Sequence, residues 1–425
     1  MNTEAIGAIA IFILLFGSIS RRLEKSVITP PMAYVVYGLL ISSAALGLLS
    51  VSINNEVIRV LAEITLALVL FTDASRIQLK QLRQEYNLPL RLLGLGLPIT
   101  IALGTILALL LFPSLDIWEA AVLATILTPT DAALGQAVVN SPRVPAYIRQ
   151  AINVESGLND GICLPVLLLF VALAEETERA TDASYWLTFS GKQIVFGTVI
   201  GIVVGYLGSK LIIKSLRRKW MNESFEDLSV LGVSILAYAL ADSIGGNGFI
   251  AAFCAGLTLG NIAPKSTRQK LYDFGEAEGQ LLTLISFLLY GAVMIVPSLS
   301  QATWQMWLYA IGSLTVTRML GVAISTIGSG LQPISVLFIG WFGPRGIASI
   351  IYGLVIVEEE KLVSSDLIFA TMVITVLISI FAHGLTAVPG ANWYANHISD
   401  KANTQDQMPE NKPVPEMAVR LPWRQ

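Results

Sequence analysis

The sequence predicts an all-α polytopic membrane protein with thirteen transmembrane helices, and three observations predict it. Of 425 residues, 54% are hydrophobic and 13% charged, with a mean hydropathy of +0.68; soluble domains carry about a quarter charged residues. The apolar residues gather in runs long enough to cross a hydrocarbon layer of ~30 Å. Basic residues collect on one side in alternate loops, the asymmetry that retention on the cytoplasmic side produces. A soluble globular fold is excluded. The net charge of -3 offers no electrostatic footprint for nucleic acid. Cys163 and Cys254 both lie inside apolar runs, and with two histidines the chain implies neither a disulfide framework nor a structural zinc site. No cofactor is expected.

Bounded by charges, Pro or Gly, the runs fall at about 5–20, 30–49, 56–75, 89–112, 118–139, 147–174, 191–213, 226–243, 248–262, 278–297, 303–325, 333–357 and 366–388. The first lacks a preceding basic segment and a small-residue cleavage site, so it is expected as span 1 and not as a signal peptide. Alternate loops hold Arg21, Arg22, Lys25, then Arg76, Lys80, Arg83, then Arg143, Arg149, then Lys214, Arg217, Arg218, Lys219, then Lys265, Arg268, Lys270. With Lys401, Lys412, Arg420 and Arg424 that side carries nineteen, and the opposite loops only Arg179 and Lys361. The expected topology in a plasma (bacterial inner) membrane is N-terminus outside and C-terminus cytoplasmic. Residues 1–390 form the membrane domain. Residues 391–425 turn polar, with Pro409, Pro413, Pro415 and Pro422, and are expected as a flexible cytoplasmic tail. Spans 1–6 and 8–13 are equal in number and opposite in direction, the arithmetic of inverted repeats of six helices.

Charge at mid-membrane costs about 2.5 to 3.5 kcal/mol per residue, so each instance needs a reason. Asp131 lies in span 5, Glu155 and Asp160 in span 6, and Arg345 in span 12. Span 5 contains Leu127-Thr-Pro129-Thr130-Asp131 and span 12 contains Gly343-Pro344-Arg345-Gly346. Pro129 and Pro344 each lack an N–H and clash with the preceding turn, so helices 5 and 12 are expected to be discontinuous. These spans are corresponding members of the two repeats, and paired interruptions are the best sequence pointer to a transporter's binding site. The broken ends free carbonyls for a cation and leave dipole charges that Asp131 and Arg345 can offset. Span 6 places Glu155 and Asn159, and likewise Ser156 and Asp160, four residues apart on adjacent stripes. Arg345 is expected to pair with Glu155, braced by the Asn159 amide. That leaves Asp160 with Ser156 and Thr130 as oxygen ligands for a cation.

At these residues the sequence resembles the NhaP-type sodium/proton antiporters, the electroneutral branch of the monovalent cation:proton antiporters. The likeness rests on Leu127 to Asp131, Glu155-Ser156-Gly157-Leu158-Asn159-Asp160, Gly343 to Gly346, and Phe381-Ala-His383-Gly-Leu-Thr386, and covers about residues 5–390. It implies that Asp160 takes either a proton or a monovalent cation, with Thr130, Asp131 and Ser156 around the ion. Glu155, Asn159 and Arg345 would form the structural charge cluster. It also implies a mobile core of spans 4–6 and 11–13 and a scaffold of spans 1–3 and 7–10 that forms a homodimer. Asn159 cannot titrate, so one proton is expected to exchange for one Na+, Li+ or K+ without net charge movement. A buried carboxylate crosses cheaply only when a proton or cation neutralises it, and rocking of one bundle against the other alternates its access.

Other readings stay open. A K+/H+ antiporter is the near alternative, and a cation channel would also use freed carbonyls without needing proton coupling. Asp131 and Asp160 on neighbouring broken helices suggest an intramembrane aspartyl protease, against which Arg345 and the missing Gly-rich aspartate motif argue. No enzyme activity is expected. Glu63, Arg318 and Asp242 have no evident pairing. Snorkelling at the interface explains Asp73 and Asp242. His383 reads as a hydrogen-bonded packing residue. Gly245 to Gly248 is a tight turn, and Glu358 to Glu360 reads equally as a group that attracts cations or as a solvated acidic loop.

Overall fold

Backbone N–H and C=O groups find no partner in hydrocarbon, so apolar runs of this length fold as helices. The computed structural model describes residues 3–23, 26–49, 56–131, 134–179, 183–358, 362–402 and 408–414. Helix occupies each of the thirteen expected intervals. Spans 1 to 3 are α1 (Thr3–Leu23), α2 (Pro30–Ile41) and α3 (Glu56–Arg76), followed by a short α4 (Leu79–Leu82). Span 4 is α5 (Asn87–Arg91) joined through a π-helical turn to α6 (Leu97–Leu111). Span 5 is split into α7 (Ile117–Ile126) and the single turn α8 (Gln136–Val139). Spans 6 to 9 are α9 (Ala146–Arg179), α10 (Ala183–Arg217), α11 (Glu223–Ser243) and α12 (Gly248–Ile262).

In span 10, α13 (Lys265–Leu289) runs through a π turn into α14 (Ile295–Ser300), and in span 11 α15 (Trp304–Gly312) does the same into α16 (Arg318–Ser325). Span 12 is split into α17 (Pro333–Trp341) and α18 (Ile347–Glu358), and span 13 is α19 (Ser365–Ala402). Seven of the described helices are long and apolar enough to cross a bilayer, as an integral membrane protein requires. Lys25, Glu359, Glu360 and the tail beyond residue 414 lie outside the described residues.

The expected tail departs from its reading. α19 passes through Pro389 without stopping and continues to Ala402, and residues 408–414 lie against the protein, with Met408 and Glu410 buried. The polar composition was a poor guide there because the segment joins an existing apolar surface and does not fold alone. Asp73 is likewise buried within the protein, where α3 faces Gly157 of α9. Asp242 is exposed, and Glu63 accepts a hydrogen bond from the Tyr238 hydroxyl at 3.2 Å.

Two apolar clusters matter for the site. One is built from α5, α8, α9, α16, α17 and α19 around Phe338, Phe342 and Tyr394, and also takes in Met408. The other, larger cluster joins α2, α3, α7, α12, α13 and α18. The two breaks in spans 5 and 12 lie where α9, α16 and α19 converge on them.

Candidate functional site

Both interruptions occur where the sequence places a proline, and each is buried. α7 ends at Ile126, three residues before Pro129, and the chain then runs non-helically to Asp131. α17 ends at Trp341, and residues 342–346 are non-helical before α18 begins. The two strands of irregular backbone cross in direct contact, the Asp131 amide donating to the Pro344 carbonyl at 2.7 Å. This answers the requirement that non-helical backbone at membrane depth be satisfied inside the protein.

The charged side chains of the two breaks complete the opposite helix. Asp131 Oδ2 accepts from the Ile347 amide at 2.9 Å, so an anion sits on the positive N-terminus of α18. Gly346 makes this approach possible, because a Cβ there would collide with the Asp131 carboxylate. Arg345, fully buried, donates from Nη1 to the carbonyls of Thr128 at 2.9 Å and Gly343 at 3.1 Å, placing a cation beyond the negative C-terminus of α7. Ser349 Oγ adds a bond to the Ile126 carbonyl at 2.7 Å. The expected offset of dipoles by Asp131 and Arg345 is therefore the geometry found.

The expected pairing of Arg345 with Glu155 is not. Glu155 is held by Arg318 of α16, whose Nη1 and Nη2 engage Oε1 and Oε2, the second at 2.8 Å; both residues are 3% exposed or less. Arg345 turns its Nη1 to carbonyls, and the guanidinium that pairs with Glu155 comes from span 11. The π turn Ser313–Thr317 immediately before Arg318 shifts the helix register at that point. A lone arginine inside an apolar run was the available signal, but the sequence gives no azimuth by which to aim it. Asn159 does not brace the ion pair either. Its Nδ2 donates to Thr130 Oγ1 at 2.7 Å, and Thr130 Oγ1 lies 2.8 Å from Ser156 Oγ. Thr130, Ser156 and Asn159 thus form one hydrogen-bonded group linking the break in span 5 to α9.

Asp160 lies on α9 one turn beyond Ser156 and is 6% exposed. Its backbone carbonyl accepts from the Tyr352 hydroxyl of α18 at 2.9 Å. Gly161 beside it faces the Phe253 ring of α12. The crossing therefore brings Thr130, Asp131, Ser156, Asn159 and Asp160 into one buried region, with Glu155 bound on its far stripe. α19 serves the break from behind. Ser379 Oγ accepts from the Arg345 amide at 2.6 Å, and His383 places Nε2 2.8 Å from the Trp341 carbonyl and Nδ1 3.0 Å from that of Ser379. His383 is the packing residue expected. Ser349, Tyr352 and Ser379 were not foreseen, since hydroxyl residues in apolar helices are ordinary until a broken neighbour supplies unpaired groups.

A family description, "Sodium/hydrogen exchanger, transmembrane", matches residues 8–393. The chain belongs to that family. The exchanger is 25% identical over 410 residues to the K(+)/H(+) antiporter NhaP of Alkalimonas amylolytica, covering 95% of this chain and 68% of that one. It is 28% identical over 389 residues to the low-affinity Na(+)/H(+) antiporter NhaS1 of Synechocystis sp., covering 86% and 71%. Against the K(+)/H(+) antiporter NhaP2 of Shewanella sp. (25% over 332 residues) it spans little more than half of that relative's length, 56%. Its fold matches that of the sodium proton antiporter MjNhaP1 from Methanocaldococcus jannaschii with a TM-score of 0.76 at 21% identity, over 92% of this chain and 98% of that chain. The family is one of transporters.

Proposed function

We propose that the exchanger trades one monovalent cation for one proton by alternating access, with Na+ as the first cation and Asp160 as the group that takes either. A buried carboxylate placed one helical turn from a hydroxyl pair at the span 5 break carries this reading. Glu155 and Arg318 neutralise each other, while Asp131 and Arg345 are spent on helix ends of opposite polarity. Asp160 is a buried acid on α9 one turn from Ser156, whose hydroxyl lies 2.8 Å from that of Thr130, and these are hard oxygen donors suited to such a cation. Its neighbour Asn159 holds Thr130 and cannot titrate, so one charge is exchanged for one and no net charge moves.

K+ is the second reading, favoured because the relative matched over 95% of this chain is a K(+)/H(+) antiporter. The excess of basic residues in alternate loops supports a cytoplasmic C-terminal end in a plasma membrane. Spans 4–6 and 11–13 would move as the core, and spans 1–3 and 7–10 would form the scaffold of a homodimer.

The test is proton flux in reconstituted vesicles on adding Na+, Li+ or K+ under a clamped potential. Exchange should occur, be lost in Asp160→Asn, and be independent of the clamp. Cation flux without proton movement would replace the exchanger with a channel. Wild-type exchange rates in Asp160→Asn would remove Asp160 from its role.

A further inference from the structure

The first turn of α17 lacks a cap of its own. Its N-cap residue Gln332 makes no side-chain capping bond and Pro333 occupies the first turn, whereas a helix end buried in protein needs acceptors for its free N–H groups. The acceptor comes from 78 residues further along the chain. Glu410 Oε1 accepts from the Gln332 amide at 2.7 Å and from Ser335 Oγ at 2.7 Å, and Glu410 is 1% exposed. The segment around it is anchored on both sides. Met408 is buried in the cluster of Val138, Ile148, Phe338, Phe342 and Tyr394, and Lys412 Nζ forms an ion pair with Glu85 Oε1 at 2.7 Å.

A continuous line of contacts leads from this cap to the break. Ser335 Oγ lies 2.8 Å from the Tyr394 hydroxyl. The Tyr394 ring stacks on Phe338 with centroids 4.1 Å apart, and Phe338 meets Phe342 at 4.7 Å. Phe342 is the last residue before Gly343-Pro344-Arg345, whose guanidinium and backbone make the crossing. The half-helix is nine residues long, so a shift at its first turn reaches the far end with little to absorb it.

We propose that Glu410 is a positioning residue for the ion site: residues 408–412 dock onto the membrane domain, supply the cap that α17 lacks, and thereby fix the geometry of the span 12 break. The segment is a working part of the transport unit. This rests on the crossing being the cation site, as proposed above.

Docking is tested on the unaltered protein with a zero-length carbodiimide, which joins a carboxylate to an amine in contact. Peptide mapping by mass spectrometry should find Glu85 coupled to Lys412, and absence of that product overturns the docking. Positioning is tested in vesicles. Glu410→Ala should raise the half-saturating cation concentration at least five-fold with the maximal rate within two-fold of wild type. Glu410→Gln, which keeps an acceptor oxygen, should recover most of the shift. A purely structural cap would lower protein yield and maximal rate together and leave half-saturation unchanged, and that result overturns the proposal. Should Glu410→Ala fail to assemble, Ser335→Ala should shift half-saturation two- to three-fold in the same direction, and no shift counts against it. If wild-type vesicles show no exchange, the transport reading fails. The cross-link and the cation dependence of thermal unfolding in Glu410→Gln then still decide the positioning claim: unchanged dependence on every cation tried overturns it.

Discussion

The breaks in spans 5 and 12 begin alike, with a proline in a buried apolar helix, and end differently. The span 5 break contributes an acid, Asp131, and gives it to the N-terminus of α18. The span 12 break contributes a base, Arg345, and gives it to carbonyls at the end of α7. Their outer ends differ as well. α7 starts with a complete capping box of its own, Asp116 accepting from the Trp118 and Glu119 amides at 2.7 and 2.8 Å, and Glu119 reaching across to Ser364. α17 starts with no such residue and borrows Glu410. A buried half-helix must have both ends answered, and the answer is local when the sequence supplies it and distant when it does not.

The largest break in this scheme is Asp160→Asn, expected to reduce exchange more than 100-fold in vesicles while the purified protein keeps a sharp unfolding transition. Next is the ion pair behind the site. Arg318→Ala leaves Glu155 buried without its counter-charge and should cost about 3 to 5 kcal/mol of stability. Glu155→Gln with Arg318→Met should recover a large part of it. The same two single changes made at Arg345 and Glu155 should show no comparable coupling, and strong coupling there would restore the pairing expected from sequence.

Asp131→Asn keeps an acceptor for the Ile347 amide but removes the charge from the α18 N-terminus, so about 0.3 to 1 kcal/mol is expected. Ser349→Ala, which strips one bond from the α7 end, should cost about 1 kcal/mol. A much larger effect at Ser349 than at Asp131 would mean that carbonyl satisfaction, not charge, holds the crossing. The smallest effect concerns Lys412. The hydrogen bond to Glu85 raises its pKa above the usual 10.5. Its contribution is present across the neutral range and is lost as pH rises through the raised value, so Lys412→Ala should leave the pH profile of exchange between about pH 6 and 9 unchanged.

Much of this is legible in the sequence. Every expected span contains helix, and Pro129 and Pro344 mark where two of them break. The residues that cluster at the crossing, Thr130, Asp131, Ser156, Asn159 and Asp160, are those the sequence singled out, because polar groups among apolar runs are expensive and therefore conspicuous. The partner of Glu155 was misjudged because, of Arg318 and Arg345, only Arg345 sits beside a proline. Nothing in a linear pattern tells which guanidinium faces a carboxylate 163 residues away. The described parts of the tail, 391–402 and 408–414, depart from their reading for a related reason: polar, proline-rich composition describes a segment in isolation, and Met408 and Glu410 are buried by what they meet.

The sequence by itself determined the membrane class, the helical intervals, the two interruptions and the acids at mid-depth, since lipid imposes those patterns on any chain that crosses it. Only the tertiary structure decided which charge answers which, that Arg318 and not Arg345 holds Glu155, and that the C-terminal segment caps α17. Those choices depend on the rotation of helices about their axes and on distances of a few ångströms between segments far apart in the chain, neither of which the order of residues records.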